Sequence, residues 1–245
     1  MRLVIASCVV AFAICSAGST WGQEKKASQQ SANNLKAIGK AMLEHTGFSL
    51  DPNAKPKLAP LPTHAIYSKD GKTPLLSWRV TILPYLGQES LCKEFKLDEP
   101  WDSGHNKKLI TKMPKVYNCA AAPEEISKAG KTYYQVYVGA ETAFPGNQKI
   151  FLATGITDGT SNTIMAVEAK EPVIWTKPED LKFPKGKEKM PAVGGLFKTG
   201  FHALFCDGTV QFYRPDPPDA LMRGLVTRAG GEDVNQSSLP LAKEE

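Results

Sequence analysis

The chain has 245 residues, of which 42% are hydrophobic and 22% charged. That mixture belongs to folded globular proteins and excludes a wholly disordered, fibrous or multi-span membrane chain. Lys and Arg number 30 against 25 Asp and Glu, and the net charge of +5 is spread along the chain, which excludes the concentrated basic footprint of a nucleic-acid binder.

Residues 1–22 have the three parts of a secretory signal peptide. Arg2 supplies the positive start, Leu3–Cys15 is an uncharged, mostly apolar run of thirteen residues, and small residues follow from Ser16 to Ser19. A membrane span needs about 18 apolar residues or more. The run is therefore read as an address, with cleavage between Gly18 and Gln23, and the mature chain is expected in the periplasm or outside the cell. Membrane attachment is expected only through an uncleaved or lipidated N-terminus, with Cys8 the candidate for the lipid.

Residues 23–32 are polar and read as a flexible lead-in to one α+β domain over residues 33–233. Ser31 can cap a helix over Asn33–His45, in which Leu35, Ile38, Met42 and Leu43 form an apolar stripe and Gly47 is the stop. Four prolines between Asp51 and Pro62 predict an extended loop. Three short helices follow: one capped by Ser77 and ended by Pro84, one over Gln88–Phe95, and one over His105–Met113 capped by Ser103. Lys115–Cys119 reads as a short strand and Tyr133–Val138 as a stronger one, rich in β-formers.

The second half reads as mainly β. Ile150–Ala153 and Thr163–Glu168 are predicted strands around the loop Gly155–Asn162. Thr176 and Glu179 have capping-box spacing, which suggests a helical turn. In FHALFC-DG-TVQFYR the Asp207-Gly208 pair predicts a two-residue hairpin turn. Cys206 would then face Thr209, and Phe205 would face Val210. Phe201, Ala203, Phe205, Val210 and Phe212 would share the core face. A C-terminal helix is expected over Pro217–Arg228 with Asp216 as its N-cap. The tail 234–245 is polar.

Three cysteines lie beyond the leader. Cys92–Cys119 is the preferred disulfide because it closes a short loop, and three buried thiols are the alternative. No zinc spacing is present among them.

The sequence carries no GxGxxG, P-loop, HExxH or GxSxG motif. Ser161, His202 and Asp158 can be assembled on paper into a hydrolytic triad, which needs the three within hydrogen-bond reach. Asp158, Asn162 and Asp207 are hard oxygen donors on loops and are the candidates for a calcium ion. Turn chemistry explains the same residues. Trp78, Trp101 and Trp175 lie near element ends. Of these, Trp101 is the candidate for stacking on a sugar or peptide, and core plugging is the alternative for all three. His202 reads as a strand histidine beside Tyr213, or as a ligand or base.

The segments NNLKAIGKAMLEH, SWRVTILPYLGQ, PWDSGHNKKL, ITDGTSNTI followed by VEA, and GGLFKTGFHALFCDGTVQF together resemble the bacterial domain of unknown function 1559. That family is also called bacterial solute-binding protein family 10. The resemblance implies a pseudopilin-like, prepilin-related architecture, with an N-terminal helix packed on an antiparallel sheet, inserted loops and a C-terminal helix. The leader here is of the general secretory type and lacks the prepilin pattern. Phe197 stands where many members carry a histidine upstream of Asp-Gly.

The first functional reading is a non-enzymatic envelope module with structural or interaction duties and no cofactor, partnered by other envelope proteins. The second is an extracytoplasmic binding protein for a small solute or glycan. A hydrolase is the third.

Overall fold

The computed structural model describes residues 17–47 and 59–232, with side chains from residue 22. Most of the segment expected to be a signal peptide, residues 48–58 with the first part of the proline-rich loop, and residues 233–245 lie outside the described residues.

The first element is helix α1 (Ala17–His45). It runs through the whole segment expected to be a flexible lead-in. Gln, Glu, Lys and Ala in that segment are good helix formers, and amide pairs one turn apart support it, Gln29 with Asn33 at 3.2 Å and Gln30 with Asn34 at 3.0 Å. Ser31 is therefore not a cap but a buried residue in mid-helix. The stop at Gly47 holds: its φ is +74° and its N–H donates to Glu44 O.

Strands β1 (Ala65–Tyr67) and β2 (Pro74–Ser77) form an antiparallel hairpin. Helix α2 (Trp78–Thr81) follows, capped by the Ser77 hydroxyl as expected, and then α3 (Glu89–Glu94). The third helix is a 3-10 stretch over Asn106–Lys112, with Ser103 Oγ accepting the Asn106 N–H. Lys115–Cys119, expected as a strand, instead opens with a 3-10 turn over Lys115–Tyr117 and is followed by α4 (Glu124–Lys128). Pro114 lacks the N–H a ladder would need there.

The predicted strand Tyr133–Val138 divides into β3 (Lys131–Gln135) and β4 (Tyr137–Val138). Ile150–Ala153 is not a strand: Leu152–Gly155 forms one helical turn, α5, and the Phe151 carbonyl accepts the Gly155 N–H. Next come β5 (Ile164–Ile174), longer than expected, and β6 (Leu181–Lys182), parallel to β4. The segment around Thr176 and Glu179 is a turn and not a helix. Strands β7 (Phe201–Phe205) and β8 (Val210–Tyr213) complete an antiparallel sheet in the order β3-β5-β7-β8.

The β7–β8 hairpin is slipped by one residue from its expected register. Phe201 faces Tyr213 and Leu204 faces Val210. The loop has three residues, closed by Gly208 N–H to Phe205 O, with Gly208 at φ +86° and Asp207 on the ordinary side of φ. This is a type I turn followed by a left-handed glycine, the other common hairpin solution. Asp207 favours it by accepting the Thr209 N–H at 2.9 Å and hydroxyl at 2.7 Å. One step of register moves a strand's side chains to the opposite face. Val210 and Phe212 accordingly pack with Leu204, while Tyr213 packs with Phe201 and Phe205.

The sheet is covered on both faces. On one, α1 buries Leu35, Ile38, Ala41 and Met42 over Ala166, Leu204 and Cys206. Each large apolar side chain so buried contributes about 1.5–3 kcal/mol. On the other, helix α6 (Asp219–Val226) places Met222, Leu225 and Val226 against Phe201, Ala203 and Phe205. This helix starts two residues later than expected, because the residue before a proline is pushed out of helical geometry and Pro217 precedes Pro218. Asp216 is not its cap and sits at φ +55°. The α+β architecture, with an N-terminal helix on an antiparallel sheet and a C-terminal helix, is the one expected.

Candidate functional site

Polar side chains converge where α1 crosses β5 and β7. Glu168 sits in the run Ile164–Ala169, where every neighbour is buried and apolar, and its side chain is 0% exposed. Burying such a group is costly unless each oxygen is satisfied. Glu168 Oε2 accepts the backbone N–H of His202 at 2.7 Å and lies 3.1 Å from His202 Nδ1. Its Oε1 accepts the Ser31 hydroxyl, which also bonds the Tyr134 hydroxyl at 2.7 Å. Asn34 adds 2.8 Å to Asn118 O and 3.3 Å to the Tyr134 hydroxyl. Burial holds the Tyr134 phenol well above its ordinary pKa, so it stays a neutral donor. The network ties one face of α1 to three separate places on the sheet side.

His202 has a second partner. Its Nε2 lies 3.3 Å from Ser28 Oγ, so hydroxyl, imidazole and carboxyl stand in line as Ser28–His202–Glu168. The sequence pointed to a different triple. Ser161 is exposed in its turn, whereas His202 is 1% exposed between the rings of Phe197 at 5.5 Å and Phe212 at 4.6 Å. Of the expected triad, only His202 is found in such a line.

The calcium candidates are occupied by turn chemistry. Asp158 accepts the N–H groups of Gly230 and Gly231 at 2.7 and 3.0 Å, fastening the C-terminal segment. Asn162 Nδ2 donates to Asp158 O at 2.9 Å, and Asp207 serves the hairpin turn. Among the described residues no group of three or more His, Cys, Asp or Glu can hold a metal ion.

Two of the three tryptophans plug the core. Trp78 and Trp175 are fully buried, with their indole N–H groups donating to Asp180 Oδ1 and Ile110 O. Trp101 is half-buried, and Lys177 Nζ stands 5.5 Å from its ring centre.

The expected Cys92–Cys119 bridge is not formed. Cys92, Cys119 and Cys206 are all free thiols. Cys119 points to Ser31 Oγ at 3.6 Å, and burial pushes its thiol up to about 11. A thiol reacts as its thiolate and only where reagent can reach it. Maleimide treatment of the native chain is therefore expected to modify Cys92 while sparing Cys119 and Cys206. Peptide mapping before and after urea unfolding checks this, and early modification of Cys119 contradicts its placement.

A second convergence, missed in the sequence, lies behind the α2 turn. Arg79 is fully buried, and it donates to Tyr134 O at 2.6 Å, Ser77 Oγ at 2.7 Å and Asp180 Oδ1 at 2.7 Å. Asp180 Oδ1 also accepts the Val136 N–H at 3.1 Å. Desolvation raises the Asp180 pKa and the Arg79 charge opposes that. Asp180 also lines a surface cleft of about 290 Å³ together with His64, Val138, Lys177, Pro178, Glu179 and Lys182.

The profile of the family described as "Protein of unknown function (DUF1559)" matches residues 28–155. The match starts within α1 and ends at α5, so β5 to β8 and the Asp207-Gly208 hairpin lie beyond it. No curated protein and no solved structure matches the chain.

Proposed function

The chain belongs to the DUF1559 family, and we propose that it is an exported, non-enzymatic module of the cell envelope with a structural or interaction role. The support for export is the leader, with its Arg2 start, its short apolar run and its small residues. The observation that carries the non-enzymatic reading is the use made of the Ser28–His202–Glu168 line. Connectivity of that kind activates a nucleophile when a substrate carbonyl can reach the hydroxyl and N–H donors stand beside it. Ser28 lies in mid-helix, where the nearby backbone N–H groups are committed to the helix ladder. The imidazole is packed between two phenylalanine rings. Both Glu168 oxygens serve α1 and β7. In this reading the polar line is a fastening for the helix.

The test uses the full chain expressed in a bacterial host. The expected product is found outside the cytosol with a new N-terminus between Gly18 and Gln23, as read by intact mass, and a fluorophosphonate probe leaves it unmodified. Full-length chain retained in the cytosol overturns the export half. An adduct on Ser28 that disappears in His202→Ala overturns the other half.

A further inference from the structure

Asp180 is the unusual carboxylate of this molecule. Its side chain is 0% exposed, and Oδ1 takes Arg79, Trp78 and Val136. Its other oxygen, Oδ2, is buried with no hydrogen-bond partner. Buried carboxylate oxygens are normally satisfied, and an orphan costs about 1–3 kcal/mol or more. At the other end of the same short turn, Thr176 Oγ1 is a second buried oxygen without a partner. Two unmet acceptors thus flank Lys177–Glu179, the segment that forms part of the wall of the 290 Å³ cleft.

The rest of the wall has a charge pattern. Lys177 is engaged, 2.6 Å from Glu179 and over the Trp101 ring. Lys182, from β6, has no ion-pair partner among the described residues. A buried carboxylate oxygen without a partner thus belongs to a residue of the cleft wall, and an exposed ammonium without an ion-pair partner belongs to another. A volume of 290 Å³ is at the lower end for ligand sites, which run from about 300 to 1,000 Å³. It suits a single small molecule and is too small for a glycan chain.

We infer that this cleft binds a small zwitterion of the amino-acid class, whose ammonium donates to Asp180 Oδ2 and whose carboxylate meets Lys182 Nζ. Because Oδ2 is shielded, entry requires the Lys177–Glu179 pair on the rim to give way. Both ligand charges contribute: an amine alone forgoes the pairing with Lys182 Nζ, and a carboxylate alone leaves Oδ2 unmet. This site is separate from the α1 fastening and does not depend on the envelope role argued above.

Titration calorimetry and thermal shift on the full chain, with L-alanine, methylamine and acetate as separate probes, test it. L-alanine is expected to bind and to raise the melting temperature, by mass action on the native state. Asp180→Asn should abolish binding, but it also disturbs Arg79 and so risks the fold. Lys182 is exposed, and Lys182→Met keeps the fold while weakening L-alanine about tenfold, the loss of one charge-assisted hydrogen bond. The same variant should leave methylamine unaffected. No response to L-alanine in either measurement overturns the inference. So does equal affinity of the native chain and Lys182→Met for L-alanine, or acetate or methylamine binding as tightly as L-alanine.

Discussion

Glu168→Ala is expected to lower the unfolding free energy by about 3–5 kcal/mol, the usual cost of removing one member of a buried, paired set. The substitution deletes the acceptor for the Ser31 hydroxyl and for the His202 N–H, and it strips the imidazole of the group beside Nδ1. None of the three groups left behind is near water. Glu168→Gln keeps the shape and one acceptor oxygen, so its cost should be smaller, about 1–3 kcal/mol. Urea unfolding of the three chains reads the order. Hydrogen exchange locates the damage, because α1 is where the network is anchored. Its amides should lose protection before those of β5 and β7, whose ladder is intact. Equal stability of all three chains would show that the apolar stripe alone, Leu35, Ile38 and Met42, holds the helix down.

That stripe was legible in the sequence because apolar residues at helical spacing are a one-dimensional signal. So were the Ser77 cap, the glycine stop after α1, and the β-rich second half. The polar fastening was not. Ser31 reads locally as a cap, since the residues before it are polar, and only its contacts with Tyr134 and Glu168 make it a buried mid-helix residue. Those partners are 103 and 137 positions away, and no local pattern encodes them. One weak signal was present. Glu168 and Arg79 are lone charges inside otherwise apolar runs, TIMAVEA and SWRVTIL, and a charge in such a run must be paired when the run is buried. The hairpin slip has a different origin. Asp-Gly serves both a two-residue turn and a three-residue loop with a left-handed glycine. The choice between them is made by side-chain bonds from Asp207 to Thr209 and by packing of Phe212 beneath α1, not by the dipeptide. Turn chemistry also explains Asp158, Asn162 and Asp207, which the sequence offered equally as ion ligands.

Arg79→Met is expected to be as damaging as Glu168→Ala, about 3–5 kcal/mol, because it leaves Asp180 buried without its counter-charge. Tyr134 O and Ser77 Oγ lose donors in the same step. The double substitution Arg79→Met with Asp180→Leu removes both charges and should cost less than the sum of the single changes. That difference, read as a double-mutant cycle from urea midpoints, isolates the pair. The pH dependence gives an independent signature. Burial already raises the Asp180 pKa, and Arg79 is the largest influence pulling it back. In Arg79→Met the carboxyl must therefore move further up. A carboxyl whose native pKa exceeds its unfolded pKa binds its proton more tightly in the native state, so acidification through the native pKa favours folding. The deficit of Arg79→Met relative to the unaltered chain should thus be largest at neutral pH and above. It should shrink as the pH falls through that raised pKa toward the ordinary carboxylate value. A deficit that stays constant over this range would mean that lost packing and hydrogen bonds, and not the stranded charge, account for the damage.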